Sequence, residues 1–116
     1  MPNFPAVYAI RAALGYLREV GVEAIDRAAR PLVLECLRGL RTLPVEMLTP
    51  NEPDAIAGIL AFRHPAADRI HAALRAEEIH IMAHAGRLRI ALHGYNTVAD
   101  VEKLLQKLGE TLRRIA

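Results

Sequence analysis

The sequence predicts an α+β fold. It reads as a two-layer small domain in which a three- to four-stranded, mainly antiparallel sheet packs on helices and is preceded by two helices. Three observations carry this. Four segments repeat apolar residues at three- and four-residue steps, as amphipathic helices do. Two segments, 79–83 and 87–93, instead alternate apolar and polar residues with the period of two that belongs to strands. A tight turn at Ala85-Gly86 joins those two, which requires them to pair antiparallel.

Taken in order, Pro5 suits a first helical turn, and Ile10, Ala13, Leu14 and Leu17 continue the pattern up to Gly21, which can take a left-handed C-terminal position. This predicts a helix over 5–20. A second stripe runs from Val22 to Thr42 through Ile25, Ala28, Ala29, Leu32, Cys36 and Leu40, so the segment should bury one side. Pro31 lacks a backbone donor and crowds the preceding turn, which predicts a kink or break near Ala29 and Arg30. Cys36 falls on the stripe and has no His or Cys at motif spacing, so it reads as a small core residue and not as an activated thiolate.

Pro44 ends the helical region, and Val45 to Leu48 reads as a short strand before the loop Thr49-Pro50-Asn51-Glu52-Pro53-Asp54. The apolar run 57–63 predicts a strand covered on both faces or nearly so. His64-Pro65 opens a helix with Ile70, Ala73 and Leu74 inward and Arg69, Arg75 and Glu77 in water. Thr97-x-x-Asp100 is the start signal of a last helix, about 98–113, whose inner side carries Val98, Val101, Leu104, Leu105, Leu108 and Leu112.

The chain of 116 residues is expected to form a single domain, 1–116, large enough to bury roughly two-thirds of the surface its unfolded chain exposes. With 53% hydrophobic and 24% charged residues it has the composition of a globular protein, which argues against disorder. A net charge of +2 and an aromatic content of 4% supply neither the dense basic stripe nor the stacking platforms of a nucleic-acid binder. No apolar run reaches the ~18 residues of a membrane span, and Met1-Pro2-Asn3-Phe4-Pro5 is unlike a secretory leader, so the expected location is cytoplasmic. The single cysteine agrees with a reducing compartment.

Histidine is concentrated late in the chain, at His64, His71, His80, His84 and His93. On a strand, His80 and His84 stand roughly 13 Å apart, at ~3.3 Å per residue, too far to share a metal, and no metal site is expected. If Ile79, Ile81 and Ala83 face inward, then His80, Met82 and His84 face outward beside Arg87, Arg89 and His93 of the neighbouring strand. That face is cationic. It reads either as a solvated hairpin or as a site for a carboxylate or phosphate, which the planar fork of arginine matches.

The run Gly86-Arg87-Leu88-Arg89-Ile90-Ala91-Leu92-His93-Gly94-Tyr95-Asn96-Thr97, with Asp100 following, resembles the C-terminal signature of class V aminotransferases. This group of pyridoxal-phosphate enzymes includes cysteine desulfurases, selenocysteine lyases and isopenicillin N epimerase-like proteins. Gly58–Arg63, and Asn3-x-Pro5 leading into an alanine-rich helix, stand at family-like positions. The resemblance spans essentially the whole chain but only the C-terminal portion of the family. It implies that Arg89 anchors the α-carboxylate of an amino-acid substrate, that His93 contacts substrate or cofactor-side groups, and that Tyr95-Asn96-Thr97 turns the chain and caps the last helix. It also implies that the Schiff-base lysine and the other pyridoxal-phosphate ligands belong to a large domain upstream. Lys103 and Lys107, on the solvated side of the last helix, are not assigned that role. On this reading the chain alone is inactive and binds no cofactor, and its partners are the large domain, an amino acid and a second subunit in a homodimer. Helix 5–20 is the surface expected to be left bare without that large domain.

One departure narrows the subgroup. Cysteine desulfurases carry a nucleophilic cysteine in a long loop between the last two strands, whereas Ala85-Gly86 is short and has none. The resemblance therefore leans toward the aminotransferase or epimerase-like branch. The alternative is a stand-alone ligand-binding or oligomerisation module of the same fold, without catalysis.

Overall fold

Leu88 and Ile90 alternate with Arg87, Arg89 and Ala91, and the sheet forms around that alternation: the first two are buried and the other three exposed. A computed structural model describes residues 1–116. Helices α1 (Phe4–Val20) and α2 (Val22–Arg41) come first, then β1 (Glu46–Met47), a single 3₁₀ turn at Pro53–Ala55, and β2 (Ile59–Arg63). They are followed by α3 (Ala67–Ala76), β3 (Met82–His84), β4 (Arg87–Ala91) and α4 (Val98–Ile115). The four strands form one antiparallel sheet in the order β1-β2-β4-β3. The fold is the α+β two-layer architecture that the patterning predicts.

One face of the sheet carries Leu60, Phe62, Leu88 and Ile90 into a single core with Val33, Cys36, Leu37 and Leu40 of α2, Ile70 and Leu74 of α3, and Val101, Leu104, Leu108 and Leu112 of α4. Each fully buried side chain of this size contributes about 1.5–3 kcal/mol relative to exposure, so this layer is the main source of stability. Gly39 lets α2 and α4 approach closely, because a β-carbon there would collide with the Leu105 side chain. Cys36 is wholly buried in this layer, where loss of solvation pushes its thiol up to about 12; it is the inert core residue expected. No helix is long and apolar enough to cross a membrane.

Several local expectations are corrected. β2 is covered on one face only, with Ile59 51% exposed, because α2, α3 and α4 all lie on the same side of the sheet. Of the kink or break expected at Pro31, the break does not occur: helix α2 runs continuously through it. Pro31 and Arg27 both lie on the exposed side, so the ring clears the core. β3 begins only at Met82, because the Ile79 N–H is used to close α3, donating to the Leu74 carbonyl at 2.9 Å. Val98, placed on the inner side of α4 by its spacing, is 56% exposed at the first turn.

Helix α1 is capped at both ends, although Gly21 takes φ 92° and ψ 121° and not the left-handed helical position expected of it. The Asn3 Oδ1 accepts the Ala6 N–H at 3.2 Å, and the Gly21 N–H donates to the Leu17 carbonyl at 2.8 Å. It buries none of its residues. Phe4, Val7, Tyr8, Ile10, Leu14, Tyr16 and Val20 are all exposed. The radius of gyration is 16.4 Å, against about 13 Å for a compact chain of this length. The helix projects from the body, with the apolar surface anticipated for it uncovered.

The β3–β4 turn places Ala85 at φ 51° and Gly86 at φ 77°. Two positive φ values are the geometry of a type I′ hairpin, which favours Asn-Gly and penalises alanine at the first position. Ala85→Asn is therefore expected to raise stability by about 0.5–1 kcal/mol, measured as a higher denaturant midpoint with an unchanged slope; an equal or lower midpoint would contradict this account of the turn.

Candidate functional site

The open face of the sheet is where side chains not needed for packing collect. Pairing register arranges them in rows across the strands. Glu46, Arg63, Arg87 and His84 form one row, Ala61, Arg89 and Met82 the next, and Ile59 with Ala91 a third. Arg63 is partnered by Glu46 at 3.6 Å, both largely exposed. Arg89 stands between an alanine and a methionine, neither of which can neutralise it, and it makes no ion pair or hydrogen bond within the chain.

Arg89 lines a cavity of about 410 Å³ with His71, His80, Ile81, Met82, Ala83 and Ala91. The His71 Nε2–H donates to the Ile81 carbonyl at 3.1 Å, tying α3 to the segment that enters β3. A guanidinium set among apolar neighbours and free of an internal carboxylate presents two parallel N–H groups to whatever oxyanion enters. His80, Met82 and His84 are exposed on this side as the alternation predicts, while Ile79, Ile81 and Ala83 pack against the core.

His93 lies elsewhere. β4 ends at Ala91, the Leu92 N–H makes a last bond to the Gly58 carbonyl at 2.8 Å, and the chain then turns. The imidazole of His93 stacks on Tyr95, with ring centroids 5.4 Å apart and planes 25° from parallel. Both rings line a second, mostly apolar cavity of about 450 Å³ against Tyr16, Leu17, Val20 and the start of α2. Arg89 and His93 thus border different cavities.

The segment after His93 is built as a cap. Asn96 Oδ1 accepts the His93 N–H at 2.9 Å and the Asn96 N–H returns to the His93 carbonyl at 3.0 Å. Thr97 Oγ1 accepts the Asp100 N–H at 3.3 Å, while Asp100 Oδ2 accepts the Thr97 N–H at 2.9 Å and the Asn96 Nδ2–H at 3.2 Å. This reciprocal box starts α4. The Thr97 N–H is the main reason the Asp100 carboxyl lies below its ordinary value of 3.8, with the Asn96 amide adding to it.

Lys107 is held between Glu77 at 3.8 Å and Glu110 at 3.6 Å, and Lys103 borders a polar cleft with Glu78 and Asp100. Neither lysine meets the ring-stacking and phosphate-holding groups that pyridoxal phosphate needs, so the residues present do not fit that cofactor. No three His, Cys, Asp or Glu side chains converge.

The family model of class-V aminotransferases matches residues 1–104. The chain belongs to the class-V aminotransferase family. A probable cysteine desulfurase of Pyrococcus abyssi is 25% identical over 129 aligned residues, covering 98% of this chain and 32% of that protein. The apo structure of a cysteine desulfurase from Thermococcus onnurineus shares its fold at a TM-score of 0.87, with 23% identity over 98% of this chain and 32% of the other. The aminotransferase TlmJ from Streptoalloteichus hindustanus superposes at 0.72, with 13% identity over 90% of this chain and 36% of its own. The chain spans about a third of the length of these relatives. Proteins named for either activity share the fold, so the likeness does not choose between branches of the family.

Two features escaped sequence reasoning. The place of His71 at the Arg89 cavity depends on how α3 sits on the sheet, and the alignment of Arg63 with Arg87 depends on the β2–β4 register; neither leaves a local signal. Because the folded state lowers the Asp100 pKa, the stability contributed there is present above pH ~4 and lost as pH falls through the lowered value. Asp100→Asn is expected to flatten the acid limb of the stability–pH curve, followed by circular dichroism; an unchanged limb would contradict the capping role.

Proposed function

We propose that this chain, as a single domain over 1–116, is the C-terminal small domain of a pyridoxal-phosphate-dependent class-V aminotransferase-like enzyme acting on an amino acid, and that Arg89 receives the substrate's α-carboxylate. The observation that carries this reading is the unpaired guanidinium on the open sheet face. It is fixed by a strand whose other side is locked in the core, and its row neighbours are an alanine and a methionine. A carboxylate entering there meets a bidentate donor with no competing internal anion. His93 is proposed as a further substrate contact, reached from the neighbouring cavity.

Pyridoxal phosphate, when bound, supplies the electron sink for chemistry at the α-carbon of an amino acid. In this reading it is held by a large domain that the present chain does not contain, and a homodimer in the cytoplasm is the expected assembly. The family membership and the threefold greater length of the relatives support the division of labour. The two-residue β3–β4 turn without a cysteine, and the burial of Cys36, favour the aminotransferase or epimerase-like branch over sulfur mobilisation. A stand-alone binding or association module is a second reading, favoured by the bare apolar surface of α1.

The test joins this domain to a large domain of the family. Arg89→Ala is expected to lower kcat/KM for the amino acid by an amount equivalent to about 2–5 kcal/mol, the scale for removing one partner of a desolvated charged pair, while the absorbance of bound cofactor is kept. Unchanged kcat/KM would refute the anchoring role.

A further inference from the structure

The row beside Arg89 carries a charge arrangement that folding does not explain. Across β2 and β4, Arg63 stands directly opposite Arg87, and His84 stands opposite Arg87 on the other side. All are exposed. Like charges facing each other across a strand pair destabilise a sheet. Glu46 offsets only the outer arginine, at 3.6 Å, and Arg87 has no ion pair or hydrogen bond within the chain. Nor is Arg87 part of the Arg89 cavity, whose walls lie toward β3 and α3. At the strand ends next to this row, Arg63, His64 and Glu46 border a recess of about 440 Å³ with Pro44, Pro65 and Gly86, which neither Arg87 nor His84 lines. Backbone pairing sets the α-carbons of Arg63, Arg87 and His84 side by side on the open face, so an unpaired guanidinium stands next to one shared with Glu46 and next to an imidazole, which together have the donors for an oxyanion with several acceptor oxygens.

We propose that Arg87, Arg63 and His84 form an anion-binding site, separate from Arg89, for the phosphate or carboxylate group of a small ligand. The bound oxyanion neutralises Arg87 and relieves its repulsion with Arg63, so occupancy and sheet stability are coupled. This inference does not require Arg89 to bind a substrate.

The test is a titration of the ¹⁵N-labelled chain at constant ionic strength with inorganic phosphate, with acetate, and with sodium chloride as the control, reading the arginine Nε–Hε resonances. Saturable shifts of Arg87 and Arg63 with phosphate or acetate are expected, and the arm that saturates first names the preferred group. They should vanish in Arg87→Gln and persist in Arg89→Gln. At low salt the unliganded Arg87→Gln protein is expected to melt no lower than wild type, and phosphate should raise the wild-type Tm but not that of the variant. Shifts that grow linearly, as they do with chloride, would overturn the proposal. So would saturable shifts that Arg89→Gln abolishes, whether or not Arg87→Gln does so too, since the anion would then belong to the Arg89 cavity. A lower Tm for unliganded Arg87→Gln would remove the repulsion on which the argument stands.

Discussion

The sheet is covered on one side only, and most of what the molecule offers chemically follows from that. Helices α2, α3 and α4 all pack on the face that carries Leu60, Phe62, Leu88 and Ile90. Backbone pleating then leaves no freedom for the intervening residues: Arg63, Arg87 and Arg89 must stand on the other side. A slip of one residue in the pairing of β4 would exchange the two sets, burying guanidiniums and exposing leucine and isoleucine. The cost of burying unpaired charge makes that alternative inaccessible. The same hydrophobic layer that holds the domain together therefore also aims Arg89.

Helix α1 stands outside this arrangement. Its apolar residues are spread around the whole circumference, with Phe4, Tyr8, Ile10, Leu14 and Tyr16 pointing in different directions, and none of them is buried. An exposed helix of that composition is unlike the solvated surface helices of a monomer, which keep one polar face. The chain matches about a third of the length of its relatives, and on the proposed reading the companions of this helix lie in the large domain.

Much of this was legible in the residues themselves. The hairpin of β3 and β4, the Thr97–Asp100 helix start, the burial of Cys36 and the outward set of His80, Met82, His84, Arg87 and Arg89 all follow from local periodicity and turn chemistry. What was not legible depends on tertiary placement. Pro31 reads as a kink or break because a sequence does not say which side of a helix will meet water. Segment 57–63 reads as covered on both faces or nearly so because apolar composition does not distinguish a central strand from one with an open face of Ile59 and Ala61. The separation of His93 from Arg89 arises where β4 ends and the chain turns, a boundary that alternation alone extends too far.

The outward aim of Arg89 is most directly tested by thiol labelling of two single variants, Leu88→Cys and Arg89→Cys, in folded protein; Cys36, itself buried, should stay silent in both. The account predicts labelling of Arg89→Cys at the rate of an exposed thiol, and labelling of Leu88→Cys only as fast as the protein opens. Equal rates at the two positions, or protection of position 89, would contradict it.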